Sequence, residues 1–316
     1  MSTIAGSPRI SGHDVDLLVV PERILDVATQ RALSRDVQRG LRVRVRHGVY
    51  VDRPVWELLE PIEQHLVAMR ALDAVSDRRP VFSHWSAAVL LGLPIRTGGE
   101  IARPHVIVPA AGSRGATGVA PHVLPLASPE VIEVRGLRCT GLVRTVIDLA
   151  AAAPFEYGVA VADQALRMAP GIAAPLAAAA GAAGARRGAA RIARVVDFAD
   201  GASESPGESI SRVTMARIGV PKPVLQQVFR DGRGFVARTD FWFPKQRSVG
   251  EMDGKGKYLD ADLNGGDPAA VVYREKVRED RVRALDVRVA RWGWVEARSV
   301  PLLAARLAAV GVLPER

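Results

Sequence analysis

The sequence predicts a mixed α/β, multidomain protein, and three observations carry that prediction. Residues 21–53 pass from helical spacing into strict alternation, residues 206–310 run helix, three strands, helix, strand and helix, and 316 residues are long for a single core. With 48% hydrophobic and 24% charged residues the chain reads as globular rather than disordered. These patterns divide it into a helix-and-wing module at 1–55, an α+β middle domain at 56–200 and a strand-rich module at 201–316.

In the first module, "PERILDVATQRALSRDVQRGLRVRVRHGVYVDR" gives two short helical patterns, Ile24 to Gln30 and Ser34 to Arg39. Ser34 suits an N-cap, with Asp36 in the first turn that follows. In "LRVRVRHGVYV", Leu41, Val43 and Val45 take one face of a strand, and Arg42, Arg44 and Arg46 take the other. From Arg31 to Arg53 there are seven Arg against two Asp. Arginines on a helix and wing suit contacts with phosphates and base edges, so Arg35, Arg39, Arg42, Arg44 and Arg46 are candidate DNA-binding residues. The alternative is a solvated arginine-rich surface that mediates protein contacts. This stretch resembles the winged helix-turn-helix that opens AbiEi-type antitoxins of type IV toxin–antitoxin systems. That resemblance implies repression of the protein's own operon and a nucleotidyltransferase-like toxin as partner.

In the middle domain "WELLEPIEQHLVAMRALDAV" reads as a helix and "HVIVPA" as a strand. The phrases "SHWSAAVLLGLP", "RTVIDLA" and "ADQALR" resemble the middle region of AbiEi-like proteins, and the likeness covers roughly the first two hundred residues. No catalytic constellation is visible there: His84, His105 and His122 read as single histidines in separate segments. Asp148 and Asp163 each stand four residues from an arginine, Arg144 and Arg167, which predicts ion pairs on helix faces. The Ala/Gly stretch from Ala173 to Ala185 admits a helix or a linker.

The last module is expected to contain a helix at Pro206–Ile218 started by Ser205, and strands at Val224–Arg230, Phe235–Phe243 and Arg247–Met252. A long helix from Ala269 to Arg291 follows, with an apolar stripe of Val282, Leu285, Val289 and Trp292; then come a strand at Trp294–Arg298 and a helix at Pro301–Val310. That α-β-β-β-α-β order is similar to the PD-(D/E)XK, restriction-endonuclease-like core, and the motif spacing resembles its Vsr-like endonuclease relatives. The phrases that carry the likeness are Asp240 before Phe241, "EMDG" from Glu251 to Gly254, and "EKVR" from Glu275 to Arg278. Asp240 shares a strand face with Val236 and Arg238, and Glu251 and Asp253 project together from theirs. If the strands pair through "PKQR", three carboxylates converge at one sheet end, where Mg2+ or Mn2+ would relieve their repulsion and generate hydroxide. The resemblance implies Glu208 as a fourth metal ligand and Lys257 as the group that neutralises charge on the phosphate. Gln226 and Gln227 would line this site or an edge-strand surface.

Two departures weigh against the resemblance: Asp253 stands where the family's usual motif has Lys, and Lys257 where Vsr-like relatives often place His. The non-enzymatic alternative is a repressor or antitoxin with a silent nuclease fold, "EMDG" serving as a strand-end turn.

A net charge of +9 favours a polyanionic partner, DNA first among them. Of 43 Lys and Arg only five are Lys, all after residue 221, which marks the C-terminal third as a separate module. The single Cys139 rules out an internal disulfide framework and a thiolate zinc cluster. The N-terminus lacks the pattern of a secretory signal, and the eighteen uncharged residues between Arg167 and Arg186 are Ala/Gly-rich and contain Pro170 and Pro175. The expectation is a cytoplasmic protein with no membrane partner.

Overall fold

The computed structural model describes residues 11–20, 26–95, 99–109, 117–125, 130–184, 187–232, 234–253 and 286–315. The chain divides into two compact units, Met1–Leu149 and Ala150–Arg316. Its architecture is mixed α/β, with three sheets among the described residues. No helix among those residues is long and apolar enough to cross a membrane.

The first unit starts with strand β1 (Leu18–Val19), helix α1 (Val27–Gln38) and the hairpin β2 (Arg42–Arg46) and β3 (Val49–Asp52). These strands form an antiparallel sheet in the order β1-β3-β2. The hairpin is the one the alternation predicted. Its turn needs Gly48, which has φ +73°, and a Cβ there would stand 2.7 Å from the Val20 carbonyl oxygen. The two short helices expected before it are instead one. Nothing in "VATQRALSRDVQ" breaks a helix, and the start is set by Asp26, whose Oδ1 accepts the Thr29 N–H at 2.6 Å. Ser34 therefore lies inside α1 and is not a cap.

The helix expected from Trp56 onward is likewise divided, into α2 (Arg53–Leu58) and α3 (Pro61–Val75). Pro61 sits at the first turn of α3 and holds Glu60 extended, at ψ 157°. Helix α3 packs Val67 with Val15, Val51 and Leu59 on one side. On the other, Leu66, Met69 and Leu72 meet Phe82, Leu90, Val106 and Cys139. The second cluster belongs to a five-stranded sheet of β4 (Val81–Phe82), β5 (His105–Ile107), β6 (Ala120–His122), β7 (Val131–Val134) and β8 (Leu137–Thr140), ordered β6-β5-β4-β8-β7. Helix α4 (His84–Leu91) covers it and ends at Gly92 in the left-handed region, φ +68°. Helix α5 (Leu142–Ala152) follows, and in it Arg144 pairs with Asp148 at 3.0 Å as the spacing predicted.

The second unit holds α6 (Phe155–Met168), α7 (Ala173–Gly181), α8 (Ala189–Phe198) and α9 (Pro206–Ile218). The Ala/Gly stretch is thus helical in α7, where only Leu176 is buried. Helix α9 matches its predicted span, with Ser205 Oγ accepting the Glu208 N–H. Strands β9 (Val224–Asp231), β10 (Gly234–Phe243) and β11 (Ser248–Met252) form an antiparallel meander, and β12 (Arg288–Trp292) adds parallel to β11, giving the order β12-β11-β10-β9.

Here the sequence expectation fails in detail. Residues 288–291, assigned to a long helix, are strand, and Trp294–Arg298, assigned to a strand, begins as helix α10 (Trp294–Ala297), followed by α11 (Val300–Ala308). In "DVRVARW" a period of two outweighs the helical stripe: Val287 and Val289 join one hydrophobic cluster, Ala290 and Trp292 the other. Gly293 ends the strand, and Glu296 accepts its N–H at 3.1 Å, which starts the helix. Residues 269–285 of the expected helix lie outside the described residues.

The main core of this unit, Met215, Phe241, Phe243, Met252, Trp292, Leu303 and Leu307, sits between the sheet and α9 and α11. Trp292 is fixed within it, with Nε1 donating to Ser211 Oγ at 2.9 Å and the ring stacked on Phe241.

Candidate functional site

Reading the first module as one helix brings Arg31, Arg35 and Arg39 onto a single face. They stand four residues apart, so each is displaced about 6 Å along the axis from the last. All three are exposed, and none has a carboxylate partner among the described residues. Leu33 is the one buried residue of α1, so the helix rests on its apolar side and leaves the arginine face uncovered.

The hairpin arginines divide by role. Arg42 lies between two carboxylates, Asp36 at 3.7 Å and Asp52 at 3.6 Å. Arg46 donates to the Thr117 carbonyl at 3.3 Å, and burial lowers its pKa without discharging it. Arg44 is exposed and, among the described residues, without a carboxylate partner. Five arginines were expected to meet DNA; three of them, Arg35, Arg39 and Arg44, are uncommitted, and the continuous helix adds Arg31. The four-residue spacing of Arg31, Arg35 and Arg39 was visible in the sequence, but two separate helices would have placed it out of phase.

The carboxylates at 240–253 are drawn together by sheet register. Phe241 pairs with Gly250 in the last rung of the β10–β11 ladder, so Asp240 comes opposite Glu251. Asp240 Oδ2 accepts the Met252 N–H at 2.8 Å. Glu251 stands beside Arg291 in the parallel β11–β12 register, and Arg291 Nε donates to its Oε2 at 3.1 Å. Asp253 follows at the strand end, exposed, its N–H bonded to the Trp292 carbonyl.

Glu208, buried at the start of α9, accepts from the Glu204 N–H, Ser205 Oγ and Gln226 Nε2 at 2.8–3.0 Å, and Gln226 comes opposite Asp240 in the β9–β10 register. These bonds fasten the N-terminus of α9 to β9. Gln226 takes φ +53° within the strand, and Gln227 bonds to the Val228 carbonyl. Lys255 and Lys257, with the phrase from Glu275 to Arg278, lie outside the described residues. Among the described residues no three His, Cys, Asp or Glu side chains are arranged to hold a metal ion. Asp240 and Glu251 are thus neighbours across the hairpin, the first bonded to the Met252 N–H and the second to Arg291.

Two further expectations are corrected in this geometry. The three histidines read as separate form one stack: His84 and His122 have ring centroids 3.5 Å apart, His122 and His105 5.1 Å apart. His105 Nδ1 and His122 Nε2 lie at 2.9 Å, and His105 Nε2 bonds to the Glu100 carbonyl. Burial pushes the His122 pKa down to about 4, and does the same to His65, which is held by Ser86 and the Ile101 carbonyl. Burial lowers the His105 pKa as well. Asp163 does not pair with Arg167, which bonds to Gln164; its partner is Arg212, at 2.7 Å.

Over 225 residues the chain is 28% identical to two proteins of Mycobacterium tuberculosis, from two strains and both described as uncharacterized. The alignment covers 71% of this chain and 78% of each relative. No family model matches the chain. No solved structure matches it either.

Proposed function

We propose that this protein binds duplex DNA through α1 and the β2–β3 hairpin. The observation that carries this reading is the exposed row of Arg31, Arg35 and Arg39, none with a carboxylate partner among the described residues, on a helix that directly precedes a hairpin bearing exposed Arg44. A helix of about 10–12 Å diameter fits the major groove, and the hairpin that follows it reaches the flanking backbone. The sheet order β1-β3-β2 with α1 before the wing supports a winged helix. The test is a fluorescence-anisotropy titration of mixed-sequence duplex across salt concentrations. Replacing Arg31, Arg35 and Arg39 by Ala is expected to lower affinity and to reduce the salt slope by up to about 0.9 for each phosphate that is no longer neutralised. An unchanged affinity and slope would remove α1 from the interface.

A second reading, that the C-terminal sheet is an endonuclease scaffold, is favoured by one observation. A helix, a three-strand antiparallel meander and a fourth strand parallel to the third bring Asp240 opposite Glu251. A plasmid-nicking assay with Mg2+ or Mn2+, run on the wild type and on Asp240→Asn and Glu251→Gln, tests it. Nicking abolished in both variants supports cleavage. A wild type that does not nick leaves the non-enzymatic repressor or antitoxin, with a nucleotidyltransferase-like toxin as partner, in front.

A further inference from the structure

Within the Ala150–Arg316 unit two adjoining cavities, of about 800 and about 290 Å3, share Asp197, Phe198 and Ala216 and so form one groove along α8 and α9. Arg191, Arg194 and Arg217 line the larger part, Arg212 and Lys222 the smaller, and the acid lining both is Asp197. Two of the five cations are committed: Arg217 to Glu156 at 2.8 Å, and Arg212 to Asp163. Arg191, Arg194 and Lys222 have no carboxylate partner among the described residues.

The groove's aromatic side is built as well as its charge. Phe155 and Phe198 meet edge to face at 5.7 Å. The Arg194 guanidinium lies over Phe155 at 4.9 Å, and that of Arg212 over Phe198 at 5.0 Å. Arg191 is anchored by Nη1, which donates to the Ala151 and Ala153 carbonyls at 3.3 and 3.2 Å, while its other N–H groups stay available. Each uncommitted guanidinium is thus held in place before any ligand arrives, which lowers the entropy cost of binding. On α8, Arg191 and Arg194 stand three residues apart and so share one face of the helix.

From this arrangement we infer that the groove binds a single-stranded nucleic acid. Uncommitted cations at both ends, Arg191 and Arg194 at one and Lys222 at the other, suit a repeating anion better than one phosphate. A guanidinium plane already seated on a phenyl ring is a platform on which a base stacks while its phosphate meets the neighbouring cation. The choice of nucleic acid over another polyanion rests on the duplex-binding reading; the groove and its cations do not.

The experiment titrates a fluorescent ten-nucleotide oligothymidine and, separately, a duplex into the full-length protein at low and moderate salt. Arg191→Ala with Arg194→Ala is expected to weaken oligothymidine binding about tenfold or more and leave duplex affinity unchanged. The α1 triple variant is expected to do the reverse. Arg194→Lys, which keeps the charge and removes the planar stack, serves where the double variant melts early, and is expected to weaken the oligothymidine severalfold. A wild type that binds duplex and not oligothymidine overturns the groove alone. One that binds oligothymidine and not duplex overturns the α1 reading alone. Unchanged oligothymidine affinity in folded variants, or equal displacement by polyglutamate of the same charge, overturns the single-strand assignment.

Discussion

Removing Arg212 tests the packing on which the groove depends. Its guanidinium reaches Asp163 Oδ2 at 2.7 Å and the Phe198 carbonyl at 2.8 Å, and lies over the Phe198 ring. Asp163 Oδ1 accepts the Asp200 N–H at 2.7 Å, so one ion pair ties α6, α8 and α9 together. Burial raises the Asp163 carboxyl to about 6, against the pull of Arg212. In Arg212→Met three penalties add. Asp163 stays buried only by taking a proton at pH 7, a further shift of about one pH unit or ~1.4 kcal/mol. The Phe198 carbonyl is left without its donor, which costs about 1–3 kcal/mol. The stacked cation contributes about 0.5–1 kcal/mol more.

The expected destabilisation is therefore about 3–5 kcal/mol, the range found when one partner of a buried pair is removed. It corresponds to roughly 6–20 °C in melting temperature for a unit of this size. A carboxyl raised on folding makes the folded state the stronger proton binder, so its contribution falls as pH rises from about 4 through the folded pKa. It falls further in the variant, whose pKa is higher. Thermal melts followed by circular dichroism at pH 7 and pH 5 should show the gap between wild type and variant narrowing by about 1 kcal/mol on acidification. Asp163→Asn combined with Arg212→Met should cost less than the two single changes summed. A destabilisation under about 1 kcal/mol at pH 7, or strict additivity, would refute the reasoning.

Two other outcomes follow from packing and titration. Gly250→Ala would set a Cβ 2.7 Å from Trp292 Cζ3, on a ring pinned by Ser211, and is expected to cost about 1–3 kcal/mol or more. Gly207→Ala meets instead the movable end of Met252 and gains helix propensity, so denaturant midpoints should separate the two, with Gly250→Ala lower. His65, with its pKa lowered to about 4 by burial, stays neutral in the fold while the unfolded chain takes a proton below its ordinary 6.5. Its contribution is full above about pH 6.5 and is lost as pH falls toward 4, about 3 kcal/mol in all. His65→Gln should flatten that slope in melts between pH 7 and 4.5, and an identical slope would show that His65 does not titrate there.

What the sequence disclosed and what it hid follow from the range of the forces involved. The β2–β3 hairpin, α9 and strands β9 to β11 were legible because local periodicity decides them: arginine alternates with valine in β2, and Ser205 caps α9 in its own first turn. Asp240 opposite Glu251 was legible for the same reason, since a short hairpin fixes register and register fixes the face. Trp294–Ala297 misled because "WGWVEA" has strand-like composition, and only the Gly293 N–H bonded to Glu296 turns it helical. The hidden features are those in which a side chain finds its partner across the fold.

Asp163 has an arginine four residues on, yet bonds to one 49 residues away, because α6 turns that face toward α9, where water is excluded and only a buried cation balances it. Glu208, which the resemblance implied as a ligand, accepts from its own cap and from Gln226, a partner 18 residues on. Arg291, outside every motif, arrives beside Glu251 through a parallel pairing that 40 residues of chain separate. A carboxylate motif read from sequence counts the acids and not the cations that reach them. That is why the exposed arginines of α1, which have no carboxylate partner among the described residues, carry the functional reading further than the acids do.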